Sequence, residues 1–105
     1  MISRIWHGWT TPENADAYEN ILKHEVMHEI EGKEVTGFKE IRLLKRPHDT
    51  EVEFITIMLF ESIADIKKFA GEDYEKAFVP KIAQAILKRY DKLVQHYEVR
   101  HELTY

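Results

Sequence analysis

Residues 54–60 of the chain are apolar on both faces of any strand that they form. Successive side chains of a strand point to opposite sides of its sheet, so both sides of this segment need cover. The two sets of side chains are Phe54, Met58 and Phe60 on one side, and Ile55, Ile57 and Leu59 on the other. A chain of 105 residues has enough helix for one face. We therefore expect the other face to pack against a second copy of the protein.

The composition limits the classes of protein to which the chain can belong. Its 105 residues, 44% hydrophobic and 32% charged, fit a single folded domain over residues 1–105. The net charge of −4 and the absence of a basic run disfavour nucleic-acid binding. The chain has no cysteine, which excludes disulfides and thiolate chemistry and is compatible with the cytoplasm, where we expect the protein. The apolar runs are too short for a membrane span, and the first predicted strand begins at Ile2, so we expect no membrane contact and no signal peptide.

Local signals predict the order strand, helix, strand, strand, helix, strand. Thr11 followed by Pro12 is typical of a helix start, and Ser62 followed by Asp65 fits a second N-terminal cap. Pro80 is expected to break or restart the last helical stretch, because an interior proline removes a backbone hydrogen bond. The predicted strands are 2–10, 37–46, a third from the turn at 47–50 to Glu61, and 93–103, and the predicted helices are 12–30, 63–70 and 73–90.

This order predicts an α+β fold, the ferredoxin-like βαββαβ sandwich, with a four-stranded antiparallel sheet and the helices on one face. Right-handed crossovers place the first and third strands at the centre. Exposing three large apolar side chains of the third strand would cost on the order of 5–9 kcal/mol, against a domain stability of about 5–15 kcal/mol. We therefore expect a homodimer through the sheet faces, with loops folding over the face as the alternative. Which face meets the helices is left open by the sequence.

Residues 24–28 read His-Glu-Val-Met-His, the H-E-x-x-H pattern of zinc peptidases, on a predicted helix. His24 and His28 would share one face, since positions four apart are neighbours on a helix. The residues after His28 do not continue the metzincin pattern, and the apolar stripe around Tyr18 and Leu22 places both histidines near solvent. We therefore predict no metal site here, and interpret the motif as a chance pattern on the surface.

Aromatic and histidine side chains concentrate on the first and last strands, which are neighbours in the predicted sheet. They are Trp6, His7 and Trp9 on the first strand, and His96 and Tyr97 on the last. An aromatic wall with one or two polar groups suits a pocket for a flat organic ligand. It equally suits the core of a dimer interface with histidines hydrogen-bonded at its rim. The residues alone leave both readings open.

A pattern of further residues extends over nearly the whole chain. It consists of Ile2 to Thr10 leading into Pro12, Gly37-Phe38, Phe60-Glu61-Ser62, Ile66, Phe69-Ala70-Gly71, Asp73, Ala77, Pro80 and His96-Tyr97-Glu98-Val99. In this pattern the chain resembles the antibiotic biosynthesis monooxygenase family of small proteins. The resemblance implies a dimeric α/β barrel paired through the sheets, with a pocket between each sheet and its helices.

Some members of that family are cofactor-free monooxygenases of quinol-like aromatics, in which the substrate anion itself reduces oxygen, and others degrade haem. The haem-degrading pattern has an asparagine on the first strand, a tryptophan in the short helix and a histidine in the helix that follows. Here the first strand has no asparagine, the short helix has Phe69, and residues 73–90 contain no histidine. These departures count against haem degradation, and the resemblance leaves the cofactor-free monooxygenases and the members without a known activity.

Two functional hypotheses follow from the sequence. In the first, the protein is a cofactor-independent monooxygenase of a small aromatic, quinol-type substrate, and His7 or His96 is the base that deprotonates the phenol. The substrate-binding residues would be Trp6, Trp9, Phe69 and Tyr97. In the second, it is a non-catalytic ligand-binding or structural dimeric domain of the same fold. An aromatic cavity that reaches solvent would favour the first hypothesis, and a filled core the second.

Overall fold

The computed structural model describes residues 1–105, whose strands form one antiparallel sheet. The strands are β1 (Ile2–Thr10), β2 (Phe38–Pro47), β3 (Val52–Phe60), β4 (Arg89–Tyr90) and β5 (Gln95–Glu98). Their order is β2-β3-β1-β4, and β5 also pairs with β1. The predicted ferredoxin-like arrangement, with the first and third strands at the centre, is thus confirmed.

The pairing of β1 with β3 settles which side of the sheet meets the helices. Phe54, Met58 and Phe60 are buried on the helix side, which we call the inner face. The register pairs Met58 with Arg4 and Ile57 with Ile5, so alternate residues of both strands share each face. The odd-numbered residues of β3 and β1 lie on the outer face, where no helix covers them. The buried side chains and the register together therefore assign the even-numbered residues of β1 and β3 to the helix side, a choice that the sequence leaves open.

A helical segment crosses from β1 to β2 and covers the inner face. A 3₁₀ turn (Pro12–Asn14) leads into α1 (Ala15–Ile21), a π-helical stretch (Leu22–Val26) and α2 (Met27–Gly32). The predicted start at Thr11 and Pro12 is confirmed, although the Thr11 side chain makes no capping hydrogen bond. The helical segment ends at Gly32, slightly later than predicted. Three of its side chains, Ala15, Tyr18 and Leu22, pack into the core against Phe54. The apolar stripe read from the sequence is therefore the face that meets the sheet.

The short helix α3 (Ile63–Ala70) has the predicted bounds and caps. The side chain of Ser62 accepts a hydrogen bond of 3.2 Å from the backbone N–H of Asp65. Gly71 ends the helix with a positive φ of 89°, a conformation that favours glycine. Ile66 is fully buried beside Phe60, so α3 is fastened to the same inner face.

The predicted helix over 73–90 is wrong, because only α4 (Lys81–Gln84) is helical there. Pro80 immediately precedes α4, so the restart at this proline is confirmed. The chain before it is held by long-range backbone bonds, Val94 N–H to the Glu75 carbonyl at 2.7 Å and Ala77 N–H to the Lys92 carbonyl at 2.9 Å. The chain after it pairs with β1 as β4. Pairing with distant segments therefore overrides the helical spacing of residues 82–90.

The predicted last strand over 93–103 is also wrong in its bounds. The single edge strand is replaced by β4 and β5, which lie one after the other along the same edge of β1. Gly8 and Trp9 pair with β4, whereas residues 2–5 pair with β5. The sheet therefore has five strands rather than four. None of the helices has the length and apolar character needed to cross a membrane.

Candidate functional site

A cavity of about 470 Å³ lies between the inner face of the sheet and the helical segment. Twenty residues line it, and 14 of them are hydrophobic. The lining residues include Arg4, Trp6, Thr56 and Met58 on the sheet, Tyr18, Leu22 and Val26 on the helical segment, and Phe69 on α3. The volume falls in the range of small-molecule pockets, roughly 300–1,000 Å³.

The π-helical stretch forms part of the cavity roof. Leu22 and Val26 begin and end this stretch and both line the cavity. A π-helical turn widens the helix locally and occurs mainly as a single turn at functional sites. The amino-acid pattern does not predict this turn, because its residues keep the spacing of an ordinary helix.

The mouth of the cavity lies between α2 and the irregular segment before α4. Lining residues from these two elements are exposed, among them Glu29, Lys33 and Lys76. Phe78 also lines the cavity, although 88% of its surface is exposed. The cavity is therefore accessible from solvent, and its exposed rim is mainly cationic.

Arg4 is a buried cation on the sheet side of the cavity, with 8% of its surface exposed. Its Nη1 atom donates to the Tyr74 carbonyl at 2.7 Å and to Nε2 of His96 at 2.9 Å. The Cζ atom lies 5.8 Å from the ring centre of Phe69. Burial lowers the pKa of Arg4 to about 10, with no carboxylate to oppose the shift, so the group stays cationic at neutral pH.

His96 is held as a neutral imidazole behind Arg4. A guanidinium only donates hydrogen bonds, so Nε2 of His96 accepts and its proton lies on Nδ1. Burial lowers the pKa of His96, and the nearby charge of Arg4 lowers it further, whereas Glu75 acts in the opposite direction. The ring also packs edge-on against Tyr74, with ring centres 5.1 Å apart. His96 thus adjoins the cavity through Arg4 rather than lining it.

Tyr18 and Trp6 place aromatic rings and one free hydroxyl in the cavity wall. Trp6 donates from Nε1 to the Asp91 carbonyl at 2.7 Å, which fixes its ring. Tyr18 is 1% exposed and packs edge-on against Phe54. None of the side-chain hydrogen bonds involves its hydroxyl, which is not among the sealed atoms and therefore opens onto the cavity that Tyr18 lines. Burial raises the pKa of this phenol, so it is a neutral donor at neutral pH.

The structure divides the residues predicted for the site between the two faces of the sheet. Trp6 and Phe69 line the cavity, and His96 lies directly behind Arg4. The other three, His7, Trp9 and Tyr97, lie on the outer face and do not line the cavity. Strand alternation is the reason, because the odd-numbered residues of β1 point away from the helices.

His7 and Trp9 belong to a polar and aromatic cluster on the outer face. The Nδ1 atom of His7 lies 3.1 Å from a carboxylate oxygen of Glu53, which also contacts His48 at 3.3 Å. The His7 and Trp9 rings are stacked, with centres 5.8 Å apart. The guanidinium of Arg89 covers the Trp9 ring at 3.8 Å. These contacts suit the rim of an interface better than a cavity wall.

Arg4 and Tyr18 are among the polar cavity residues that the sequence interpretation missed. One signal for Arg4 was available: it is in phase with Trp6 and Gly8 on β1, so it shares their face. Tyr18 was read as part of an apolar stripe, and nothing in the sequence distinguishes a free hydroxyl from a bonded one.

The H-E-x-x-H residues lie on the surface of the helical segment. His24, Glu25 and His28 are all exposed. The structure brings together no group of three histidine or carboxylate side chains that could hold a metal ion. The two histidines and the glutamate of the motif therefore lie outside the cavity, which only Val26 and Met27 of these five residues line.

No protein-family model matches the sequence, and no curated protein matches it, but solved structures do. A protein from Bacillus cereus, described as a candidate antibiotic biosynthesis monooxygenase, matches with a TM-score of 0.67 and 12% identity, covering 99% of this chain and 97% of that one. The heme-degrader MhuD from Mycobacterium tuberculosis, with two hemes in its active site, matches with a TM-score of 0.59 and 19% identity, covering 99% and 100%. The chain has the fold of these proteins.

A mutant of MhuD with two manganese protoporphyrin IX molecules per active site gives a similar result, with a TM-score of 0.63 and 18% identity, covering 99% of each chain. At these identities the likeness concerns the fold. The resemblance to antibiotic biosynthesis monooxygenases that the sequence predicted is thus confirmed at the level of architecture.

Proposed function

We propose that the protein is a cofactor-independent monooxygenase that binds a small, flat aromatic substrate of the quinol type in the cavity. The observation that carries the proposal is the cavity itself, which is aromatic, accessible from solvent and lined by polar groups, Arg4 and Tyr18 among them, that have free hydrogen-bonding capacity. A structural domain with a filled core would have no such space. The fold shared with a candidate monooxygenase is consistent with this function, although one fold hosts many functions.

The proposed reaction takes its electrons from the substrate and needs no bound redox group. The charge of Arg4 stabilises the phenolate anion of the substrate, whose proton leaves to solvent through the mouth of the cavity, and neutral His96 positions Arg4 through its hydrogen bond with Nη1. The anion then reduces dioxygen. A hydroquinone and dioxygen give a hydroxyquinone and water, so one oxygen atom enters the product and the other leaves as water.

The residues around the cavity do not suit haem as a cofactor or substrate held through a histidine. No imidazole lines the cavity, and Nε2 of the adjacent His96 already accepts a hydrogen bond from Arg4. Phe69 stands where the haem-degrading pattern has a tryptophan. A small aromatic substrate therefore suits this cavity better than haem.

We also propose that the protein is a homodimer paired through the outer face of the sheet. Four aliphatic side chains, Ile5, Ile55, Ile57 and Leu59, lie together there and are only partly buried within one chain. They adjoin the cluster around His7 and Trp9, which would form the polar rim. A symmetric partner would complete the burial that the helices provide on the inner face.

Oxygen uptake distinguishes this enzyme from a non-catalytic binding protein of the same fold. We expect a panel of hydroquinones to include one whose oxygen consumption rises with protein concentration and falls about threefold to tenfold in His96→Ala, which removes the hydrogen bond that positions Arg4. His101→Ala, at an exposed position, is the matched control and should retain the rate. His7→Ala tests the outer-face histidine separately. If no substrate is consumed above the His96→Ala background, the non-catalytic alternative is favoured.

A further inference from the structure

The charges around the cavity differ in sign from those of the protein as a whole. The chain has a net charge of −4, yet the charged residues that line the cavity are three cations and one carboxylate. Lys33 lies at the mouth with its Nζ atom 4.7 Å from the ring centre of Phe69. Arg4 lies near the same ring from the interior. An anion would therefore meet cations both on entry and at the end of the cavity.

Arg4 has hydrogen-bonding capacity that the protein does not use. Both of its bonds come from Nη1, and no protein group accepts from Nε or Nη2. Thr10 Oγ1 is the only side-chain polar atom that is both sealed from the surface and without a partner. The free nitrogens of Arg4 are therefore not sealed, and the cavity is the open space that this buried residue borders.

The free edge of the guanidinium has a defined ligand preference. Nε and Nη2 lie side by side in a plane, which matches the two oxygens of a carboxylate and gives paired, charge-assisted hydrogen bonds. A buried cation without a carboxylate partner is costly, and an anionic ligand would offset that cost. The Tyr18 hydroxyl, also unpartnered, supplies a neutral donor in the same cavity.

We propose that the ligand of this cavity is a flat aromatic molecule that carries a carboxylate, bound in bidentate fashion by the Nε–Nη2 edge of Arg4. This inference rests on the proposed use of the cavity as a substrate site, and it specifies the class of substrate as an aromatic acid. The aromatic body packs against Trp6 and Phe69, and the acid group replaces the carboxylate partner that the protein does not provide.

The test is calorimetric binding of a matched pair of probes, 1-hydroxy-2-naphthoate and its neutral amide, to the full chain at pH 7.5. We expect the acid to bind at least about tenfold more tightly than the amide, as a charge-assisted pair implies. Arg4→Gln should abolish this preference, and Arg4→Lys should keep part of it, because an ammonium has the charge without the planar fork. Arg89→Gln, which removes a cation from the outer face, should leave the preference unchanged.

Equal binding of the two probes, a preference that survives in Arg4→Gln, or no binding of either probe would each overturn the inference. If Arg4→Gln does not fold, the native chain is compared with Arg4→Lys instead. A bidentate contact with the guanidinium predicts that Arg4→Lys prefers the acid over the amide less strongly than the native chain does. Binding is measured without turnover, so the two proposals fail separately. A preference for the acid without oxygen uptake refutes the monooxygenase, and uptake on neutral quinols without the preference refutes the aromatic acid.

Discussion

Nη1 of Arg4 lies 2.9 Å from Nε2 of His96, so a buried cation and an uncharged imidazole share one hydrogen bond. Protonation of His96 would remove the acceptor and place two positive charges side by side. The hydrogen bond therefore requires a neutral His96. A proton on His96 would disturb Arg4 next to the cavity.

Acidification should weaken the fold through this pair. Because the pKa of His96 is lowered in the folded chain, the unfolded chain binds the proton more readily, and stability falls as the pH drops below the ordinary value of 6.5. Denaturant titrations between pH 7.5 and 5 should show this loss, and His96→Gln, which stays neutral, should reduce the slope. His101→Gln, at an exposed position, should keep the native slope. Identical slopes in native chain and His96→Gln would contradict the prediction.

Gly37 should tolerate alanine far less well than Gly71. Both have a positive φ, 86° and 89°, which costs an alanine about 1–2 kcal/mol. At Gly71 the added methyl group meets open space, whereas at Gly37 it would overlap the carboxylate of Asp65. We expect Gly37→Ala to lose a further 1–3 kcal/mol or so of unfolding free energy. Gly32→Ala, with open space and no positive φ, is the control, and equal losses at Gly37 and Gly71 would be unexpected.

Removing the hydroxyl of Tyr18 should weaken ligand binding and leave the free energy of unfolding almost unchanged. The hydroxyl bonds to nothing in the protein, so Tyr18→Phe should change the free energy of unfolding by less than about 0.5 kcal/mol. Affinity for 1-hydroxy-2-naphthoate should fall about threefold to tenfold, the value of one hydrogen bond. Tyr97→Phe, with 54% of the residue exposed on the outer face, should leave affinity unchanged. A large loss of stability in Tyr18→Phe would show that the hydroxyl has a structural partner.

A charge on the outer face should prevent dimerisation. Ile57 pairs with Ile5 in the middle of this face, so Ile57→Lys would bury an ammonium in the proposed interface. Sedimentation at micromolar concentration should show a dimer for the native chain and a monomer for Ile57→Lys. Ile82→Lys changes a residue of α4 that is 50% exposed and should remain dimeric. A native monomer would refute the homodimer.

The elements predicted correctly are those whose signals act over a few residues. The cap of Ser62 on Asp65 and the ending at Gly71 define α3 by contacts within one or two helical turns. The start at Thr11 and Pro12 is equally local. Because no distant segment competes for these backbone groups, the residues alone define the element.

The errors lie where distant pairing decides the structure. Residues 82–90 have helical spacing, yet Arg89 and Tyr90 pair with β1, and this contact is invisible in the local sequence. For the cavity, the sequence predicts only an aromatic pocket for a small ligand. Trp6 and Phe69 were named, whereas Arg4 could be placed only once the register showed which face of β1 meets the helices.

The two roles of β1 can change separately under mutation. A point substitution at Arg4 or Trp6 alters what the cavity accepts and leaves the opposite side of the strand untouched, and one at Ile5 or His7 does the reverse. An insertion or deletion of a single residue has no such freedom, because it exchanges all these positions at once. Descendants of this chain can therefore diversify in ligand and in assembly independently, but only while the length of β1 is preserved.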